Sequence, residues 1–593
     1  MSLSDIDWRD RLGEDPTLTG VVVVSVVALA LRLVDLGGRI AHFDEGRVAY
    51  YALEYAETGS IHYRYIVHGP FVQYVDAVLF HFLGAGDAVM RLPLAVFGGL
   101  LPLAALLFRE HLRDSEIVAL ALLLALNPVL LYYSRFLRST LLVAGFVFVG
   151  FGFAVRAYDT RDMWYVYGVA AMFALALAAK ENAVVYAIVW IGAGGLVLDQ
   201  ILFAERGEES GSSVLGRYWS WLVETGRRHG AVGVGRYAGH AIGVVIVFGL
   251  LVYFFFAPRN PADGVGFWYA LGHPGSVPAV ADAAIADLTE GFEYWFGGTS
   301  EPGCHKDNII ESYGCFLGRF LETLWIAAAP LSLLAVGGFL LERWGSVRRR
   351  PVVLFASYWG FVSVLGYPLG TDIYGAWLTV NALVPLAIPA AVGLAYVYRT
   401  GRDAYTDGDA VASYAAGLLV LLIAVSTVTT AGGLVYGSPA AEDNNLVQYA
   451  QPTGDYRPVM EIAAEADTDG RPDVLIYGSP LVDTRFESPQ EPACSDLGQL
   501  LPLQWYIAKH DLESTCAADR GALGSLDQIQ PTVIVARGEN ATYLESRLDG
   551  YTGTAYDFRT GAETTTFFVR NDVAQPAVAG PAGQVPRSAT ADT

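Results

Sequence analysis

The sequence predicts a polytopic α-helical membrane protein that ends in a water-exposed α/β domain. Three observations predict it. Apolar runs of about 20 residues, enough for a helix to cross a bilayer, recur through the first 433 of 593 residues. Arginines gather in alternate connections between these runs. Beyond residue 433 the pattern changes to short apolar runs broken by turns.

Eleven spans are expected, at 18–38, 87–108, 115–133, 139–157, 163–179, 183–203, 237–257, 321–341, 351–369, 379–398 and 411–433. The polar, acidic start lacks a signal-peptide pattern, so the first run is expected to be a retained span. Arginine-rich connections include Arg109 with Arg113, Arg156 with Arg161, and Arg399 with Arg402. Arg9, Arg11, Arg206 and Arg348 continue the series. The positive-inside rule therefore puts the N-terminus and these loops in the cytoplasm. The loop after the first span, the 258–320 loop and everything past 433 then lie outside the cell, around a multi-pass cell-membrane domain at 1–433.

The chain is 53% hydrophobic and carries a formal net charge of −22 with only three lysines among 38 basic residues. Such an acidic surface suits high salt, where screening suppresses self-repulsion, so a halophilic archaeal source is expected. The same charge argues against nucleic-acid partners. In the first outer loop, 45–58 and 71–82 have the apolar spacing of amphipathic helices lying at the interface. Within the C-terminal domain, 434–573, Val474–Tyr477, Thr532–Val535 and Thr565–Val569 read as strands. Pro458–Ala466, Leu500–His510 and Ala541–Leu548 read as helices, giving a small α/β layer. The tail at 574–593, rich in Ala, Pro and Gly, is expected to be disordered.

The stretch with the most chemistry is 42–91, wedged between the first two spans. Asp44 and Glu45 sit at the membrane edge, where a carboxylate must face water, protein or ligand. An ion pair with Arg47 is the structural alternative; a general base that takes a proton from an acceptor hydroxyl is the catalytic reading. Helical neighbours diverge by about 100°, so only one of the two can point into a given cleft, and Asp44 is favoured. Arg135, Arg138 and Lys180 fall at the outer ends of spans, where the charge bias makes cations scarce. They are either snorkelling anchors or phosphate ligands. His68 is a phosphate contact or a structural histidine. Arg47, Glu293 (beside Tyr294-Trp295) and Tyr374 are candidate substrate contacts.

The four cysteines fall on the predicted outer side, where disulfides persist. Pairing within each region gives Cys304–Cys315 and Cys494–Cys516. Asn540-Ala541-Thr542 is a glycosylation sequon in the C-terminal domain. No cysteine, histidine or glycine pattern points to a cofactor or a metal, although a divalent ion at Asp44-Glu45 is an alternative.

Phe43-Asp44-Glu45-Gly46, His68-Gly69-Pro70, Arg91-Leu92-Pro93, Ser134-Arg135-Phe136-Leu137-Arg138 and Lys180-Glu181-Asn182-Ala183 follow one another over residues 18–400. In this order the chain resembles the GT-C glycosyltransferases, such as protein O-mannosyltransferases and aminoarabinose transferases. It is most similar to an archaeal flippase-associated branch. Many mannosyltransferase-like members have His-Pro-Pro where this chain has His68-Gly69-Pro70. The resemblance implies a GT-C-like bundle and a sugar donor linked to dolichyl or polyprenyl phosphate. It implies transfer on the extracytoplasmic side in surface or N-linked glycan assembly, inverting and metal-independent. The alternative it implies is a non-catalytic accessory that binds the lipid-linked sugar and assists its flipping. A flippase or another glycosylation-pathway protein is then an expected partner.

Overall fold

The computed structural model describes residues 13–573 apart from 62, 64–67, 205–210, 262–263, 297–303, 305–308, 346–348, 370–372, 467–469, 484–493, 522–529 and 559–563. The expected tail at 574–593 and Arg9, Arg11, Arg206 and Arg348 lie outside the described residues. The chain forms two compact units. One comprises Met1–Arg39 and Tyr51–Gln448; the other comprises Ile40–Tyr50 and Tyr449–Thr593. Residues 40–50, which carry Asp44 and Glu45, group with the C-terminal unit.

The first unit is helical. Its elements are α1 (Pro16–Leu33), the body of α2 (Phe43–Thr58), α3 (Pro70–Leu83), α4 (Asp87–Leu100), α5 (Asp114–Leu126), α6 (Pro128–Tyr133), α7 (Thr140–Thr160) and α8 (Trp164–Ala179). They continue as α9 (Ala183–Ala204), α10 (Gly211–Phe256), α11 (Phe267–Gly272), α12 (Val277–Phe296), α13 (Ile309–Trp344), α14 (Pro351–Gly366), α15 (Val380–Thr406) and α16 (Ala410–Ala431). Among the described residues, nine helices are long and apolar enough to cross a membrane.

The other two expected spans differ for local reasons. The run at 115–133 divides into α5 and α6 because Asn127 and Pro128 restart the helix. The Asn127 side chain accepts the amides of Val129 and Leu130, both at 3.1 Å, and Pro128 has no amide to donate. The run at 163–179 forms α8, a helix of 16 residues. Conversely, the polar stretch before the seventh expected span joins it in α10, a single helix of 46 residues.

α15 is the buried centre of this unit: nearly every residue from Val380 to Ala395 is buried. It packs against α13 through glycines. A Cβ on Gly338 would stand 1.8 Å from the Pro389 carbonyl oxygen, and one on Gly393 would stand 2.5 Å from that of Leu334. Small residues let two backbones approach this closely in a bilayer, where dispersion contacts hold helices together. α16 is the opposite case, with no buried residue.

One end of the bundle is tied by a buried carboxylate. Glu116 on α5 accepts from Arg350, which caps α14, at 2.6 Å and from Arg399 on α15 at 3.3 Å. Arg350 also reaches Glu342 on α13 at 2.8 Å. Four helices therefore meet on one network.

The C-terminal unit holds a five-stranded sheet in the order β2-β1-β3-β5-β4. Its strands are β1 (Val474–Tyr477), β2 (Ser514–Ala517), β3 (Val533–Arg537), β4 (Tyr551–Tyr556) and β5 (Thr565–Arg570). β2, β1 and β3 run parallel, and β5 and β4 are antiparallel additions. Helices α17 (Arg457–Glu465), α18 (Leu497–Leu500), α19 (Leu503–Lys509) and α20 (Gly538–Glu545) accompany it. Leu475, Ile534, Phe568, Ala541 and Leu544 form a core between the sheet and α20. A second core stacks Tyr456 on Phe567 and Phe558, with ring centroids 5.1 and 5.4 Å apart. The two strands absent from the sequence reading, β2 and β4, are the sheet edges, half wetted and poor in apolar residues.

Both expected disulfides are present. Cys304–Cys315 and Cys494–Cys516 have Cα–Cα distances of 5.5 and 5.8 Å.

Glu116→Gln leaves the arginines of the buried network short of a charge and should cost about 3–5 kcal/mol. Glu110→Gln, at the exposed pair with Arg156 (3.7 Å), should cost under about 1 kcal/mol. Thermal unfolding of the two variants in detergent measures the difference.

Candidate functional site

The first turn of α2 lies within the C-terminal unit. His42 precedes the helix, and its ring Nδ1 accepts the Asp44 amide at 2.9 Å. Glu45 reaches back to accept the His42 amide at 2.9 Å. This is a capping box with histidine in the place usually taken by serine or threonine. Because Nδ1 accepts, the proton sits on Nε2, which donates to the Tyr449 carbonyl at 2.7 Å. The Ala41 amide donates to the Tyr506 hydroxyl at 2.8 Å. Gly46 completes the fit, since a Cβ there would lie 2.7 Å from that of Pro502.

The two adjacent carboxylates therefore have different positions. Glu45 is fully buried and closes the cap. Asp44 keeps part of its surface, with its carboxylate 3.9 Å from His42 Nδ1 and 13% of the side chain accessible. One turn on, Arg47 has a buried Nε without a hydrogen-bond partner among the described residues. At a spacing of three, Asp44 and Arg47 share one helix face. A partly accessible carboxylate beside an unsatisfied cationic donor can serve a hydroxyl and an anion together.

Within the helical unit, a separate basic cluster surrounds the start of α7. Arg138 is buried and donates to the Gln448 side-chain oxygen at 2.7 Å. Its guanidinium lies 3.6 Å over the Trp377 ring, which fixes its plane. The adjacent Ser139 donates its amide to His68 Nδ1 at 3.0 Å, and its hydroxyl also meets that nitrogen. Lys180, buried, caps the end of α8. Gly69 joins this helix end to His68: its amide donates to the Ala179 carbonyl at 2.8 Å. A Cβ on Gly69 would stand 2.1 Å from the Ala178 oxygen. Proline could neither donate that bond nor fit, which explains His68-Gly69-Pro70 in place of His-Pro-Pro.

Arg135 does something different. Its guanidinium donates to the carbonyls of Leu31, Arg32 and Asp35 at 3.2, 3.0 and 3.0 Å, and also to that of Val34. It caps the end of α1. Tyr374 is likewise held, with its hydroxyl 2.7 Å from the Arg319 carbonyl and bonded to Thr323. Glu293 is exposed on α12, and the side chains of Tyr294 and Trp295 lie outside the described residues. Asn540 donates its amide to the Ser479 carbonyl at 3.0 Å and lies against Gly478. A glycan there would require that contact to open.

His42, Ser139 and Gln448 have no local signal in the sequence, because each acts through a partner far along the chain. Arg259 is another such residue. It is buried under Phe267, 4.0 Å from the ring centroid, donates to the Ala257 carbonyl at 2.6 Å, and pairs its backbone with Ile61.

This architecture, a helical bundle followed by a small sheet domain, is an ArnT-like fold. The chain is similar to the crystal structure of ArnT from Cupriavidus metallidurans in the apo state, with a TM-score of 0.54 and 15% identity over 94% of this chain and 99% of that one. The same protein bound to undecaprenyl phosphate matches at a TM-score of 0.54 and 16% identity, with the same coverage. The archaeal oligosaccharyltransferase AglB from Archaeoglobus fulgidus, in complex with an inhibitory peptide and a dolichol-phosphate, gives a TM-score of 0.49 and 14% identity over 92% of this chain and 73% of that one. Within this fold the C-terminal unit has its own relationship: residues 456–571 match the Agl23 flippase-associated protein C-terminal domain. No curated protein sequence matches the chain.

Gly69→Ala and Gly69→Pro should each destabilise the protein by about 1–3 kcal/mol through overpacking against α8. A lowered melting temperature and reduced yield of monodisperse protein would show it. Unchanged melting would mean that Gly69 does not make this close approach.

Proposed function

We propose that the protein transfers a sugar from a polyprenyl or dolichyl phosphate to an acceptor hydroxyl. Asp44 takes the acceptor proton, and Arg47 meets the anionic part of the donor. Arg138, Lys180 and His68 bind donor phosphate, with Arg138 held in one plane by Trp377 so that it can present two donors at once. The single observation that carries this reading is the pairing of a partly accessible Asp44 with the unsatisfied Arg47 Nε on one helix face. It is supported by the ArnT-like fold, whose representative binds undecaprenyl phosphate. Glu45 serves as the cap that sets Asp44 in place, and Arg135 serves α1. The reaction runs on the extracytoplasmic side, with the N-terminus in the cytoplasm.

The flippase-associated match of residues 456–571 favours a second reading, in which the same residues hold the lipid-linked sugar during its passage across the membrane without chemistry. In the transferase reading, the Asp44 oxygen gains the hydroxyl proton as the new glycosidic bond forms and the lipid phosphate departs with the electrons of the old one.

Asp44→Asn should lower transfer by at least about 100-fold while donor binding, measured by native mass spectrometry, is retained. Arg138→Gln should weaken donor binding about tenfold, the loss of one charge-assisted contact. Glu45→Gln should cost about 1 kcal/mol of stability and leave turnover per folded molecule largely intact. Donor binding with no turnover by the wild-type protein under any acceptor would establish the accessory reading instead.

A further inference from the structure

Three elements meet at the C-terminal end of α10. Ala257, just past that end, packs with Ala270 of α11 and Val280 of α12 in one small core, against which Tyr253, Val265 and Phe267 lie. Arg259 ties the corner. Its guanidinium lies 5.1 Å from the ring centroid of Phe254 on α10, and 4.0 and 5.5 Å from those of Phe267 and Trp268 on α11. The core takes one side of each short helix and leaves another apolar side uncovered.

On α11, Trp268, Tyr269 and Leu271 are exposed, Leu271 to 66%. The Tyr269 ring stacks on that of His273, with centroids 4.1 Å apart, so the aromatic side is held in place. α12 is two-sided at helical spacing. Val277, Ile285 and Phe292 share one side, and Ile285 is 62% exposed. Asp282, Glu290 and Glu293 are exposed on the other.

The apolar side borders a surface that already faces lipid. Gly235–Phe256 of α10 is long and apolar enough to cross a membrane and is mostly unburied. Ile246, Leu250 and Phe254, four residues apart, are exposed along one face of it. Phe254 is the last of that series, and Arg259 lies near both its ring and the Trp268 ring. The lipid-facing surface of the span therefore continues onto α11. Trp and Tyr, each an apolar ring with one polar edge, suit the headgroup level where a span leaves the bilayer.

We propose that α11 and α12 form a hairpin lying on the bilayer where α10 leaves it, with Trp268, Leu271 and Ile285 inserted among the lipids and the acidic side of α12 in water. The partner is the lipid surface itself, continuous with that around α10. Charge favours the same orientation, since the acidic side points away from phosphate headgroups. Arg259 also pairs its backbone with Ile61, so the hairpin's seat on the lipid sets the height of the segment that leads to α3. The assignment is the same for the transferase and the accessory readings.

All four cysteines are paired, so a cysteine introduced at an exposed position is a unique labelling site. The test uses the full chain in phosphatidylcholine nanodiscs, with a fluorophore attached in separate variants at Leu271→Cys, Ile285→Cys and Glu293→Cys. A nitroxide carried on the lipid just below the headgroup should quench the first two labels several-fold more than the third, and aqueous acrylamide should show the reverse order. Without any introduced cysteine, Trp268→Phe should remove a part of the tryptophan emission that bromines just below the headgroup quench. Equal access of acrylamide to all three labels would place the hairpin in water and overturn the proposal. Labels at Leu271 and Ile285 shielded from acrylamide but untouched by the lipid nitroxide would mean that protein, such as a second copy of the chain, covers this side, and would overturn it as well. So would bromolipid quenching that Trp268→Phe leaves unchanged.

Discussion

A helix that ends inside a membrane leaves its last carbonyls without partners, and hydrocarbon supplies none. Much of the helical unit is arranged around that constraint at the end of α1. Arg135 spreads one guanidinium over the carbonyls of residues 31, 32, 34 and 35, and Arg91 takes those of residues 36 and 39. Tyr436, from the far end of the unit in sequence, shares the Leu31 oxygen. Arg32 does the same deeper in the bundle, joining Ala28 of its own helix to Leu124 and Ala125 of α5. A lysine has a single point of charge and could not serve several divergent carbonyls at once. The end of α1 and the turn after it are therefore held by two arginines, with Arg32 tying the same helix to α5.

This explains where the sequence was readable. Long apolar runs identify spans because every backbone group inside a helix is satisfied locally, whatever surrounds it. Interruptions read poorly because they depend on one side chain. Asn127 divides a predicted span by satisfying two amides, a device of one residue within an apolar stretch. In the C-terminal unit the three interior strands β1, β3 and β5 stood out as apolar runs, with β1 and β3 buried throughout. The edge strands β2 (Ser-Thr-Cys-Ala) and β4 (Tyr-Thr-Gly-Thr-Ala-Tyr) did not, since an edge buries less and its alternation is weak.

The candidate site was readable in its residue types and not in their division of labour. Asp44 and Glu45 announce themselves as neighbouring acids, but which one caps the helix depends on His42, and His42 is itself held by Tyr449. Arg135 and Arg138 are three residues apart in one motif and have unrelated tasks. The carbonyls that occupy Arg135 lie about a hundred residues earlier, whereas Arg138 is oriented by Trp377 and Gln448, more than two hundred residues later. Local pattern cannot rank such residues, because their partners are set by tertiary contacts. Gly69 is the exception: its departure from proline is visible in the sequence and acquires its cause from the α8 carbonyls.

The same accounting separates structural from functional cations. A guanidinium that donates to three or four carbonyls has few hydrogens left for a ligand, and moving it would expose a helix end. Arg135 is of that kind. Arg138 donates to the neutral Gln448 side chain and lies over the Trp377 ring, an arrangement that fixes its orientation. Arg47 goes further, with a buried Nε that has no hydrogen-bond partner among the described residues. An unsatisfied buried donor costs about 1–3 kcal/mol, a cost that a fold sustains where a ligand oxygen removes it. The residue lies one turn from Asp44, whose backbone amide is held by the His42 ring, so a cationic donor and a carboxylate share one helix face. This is where chemistry on an anionic substrate would draw on both.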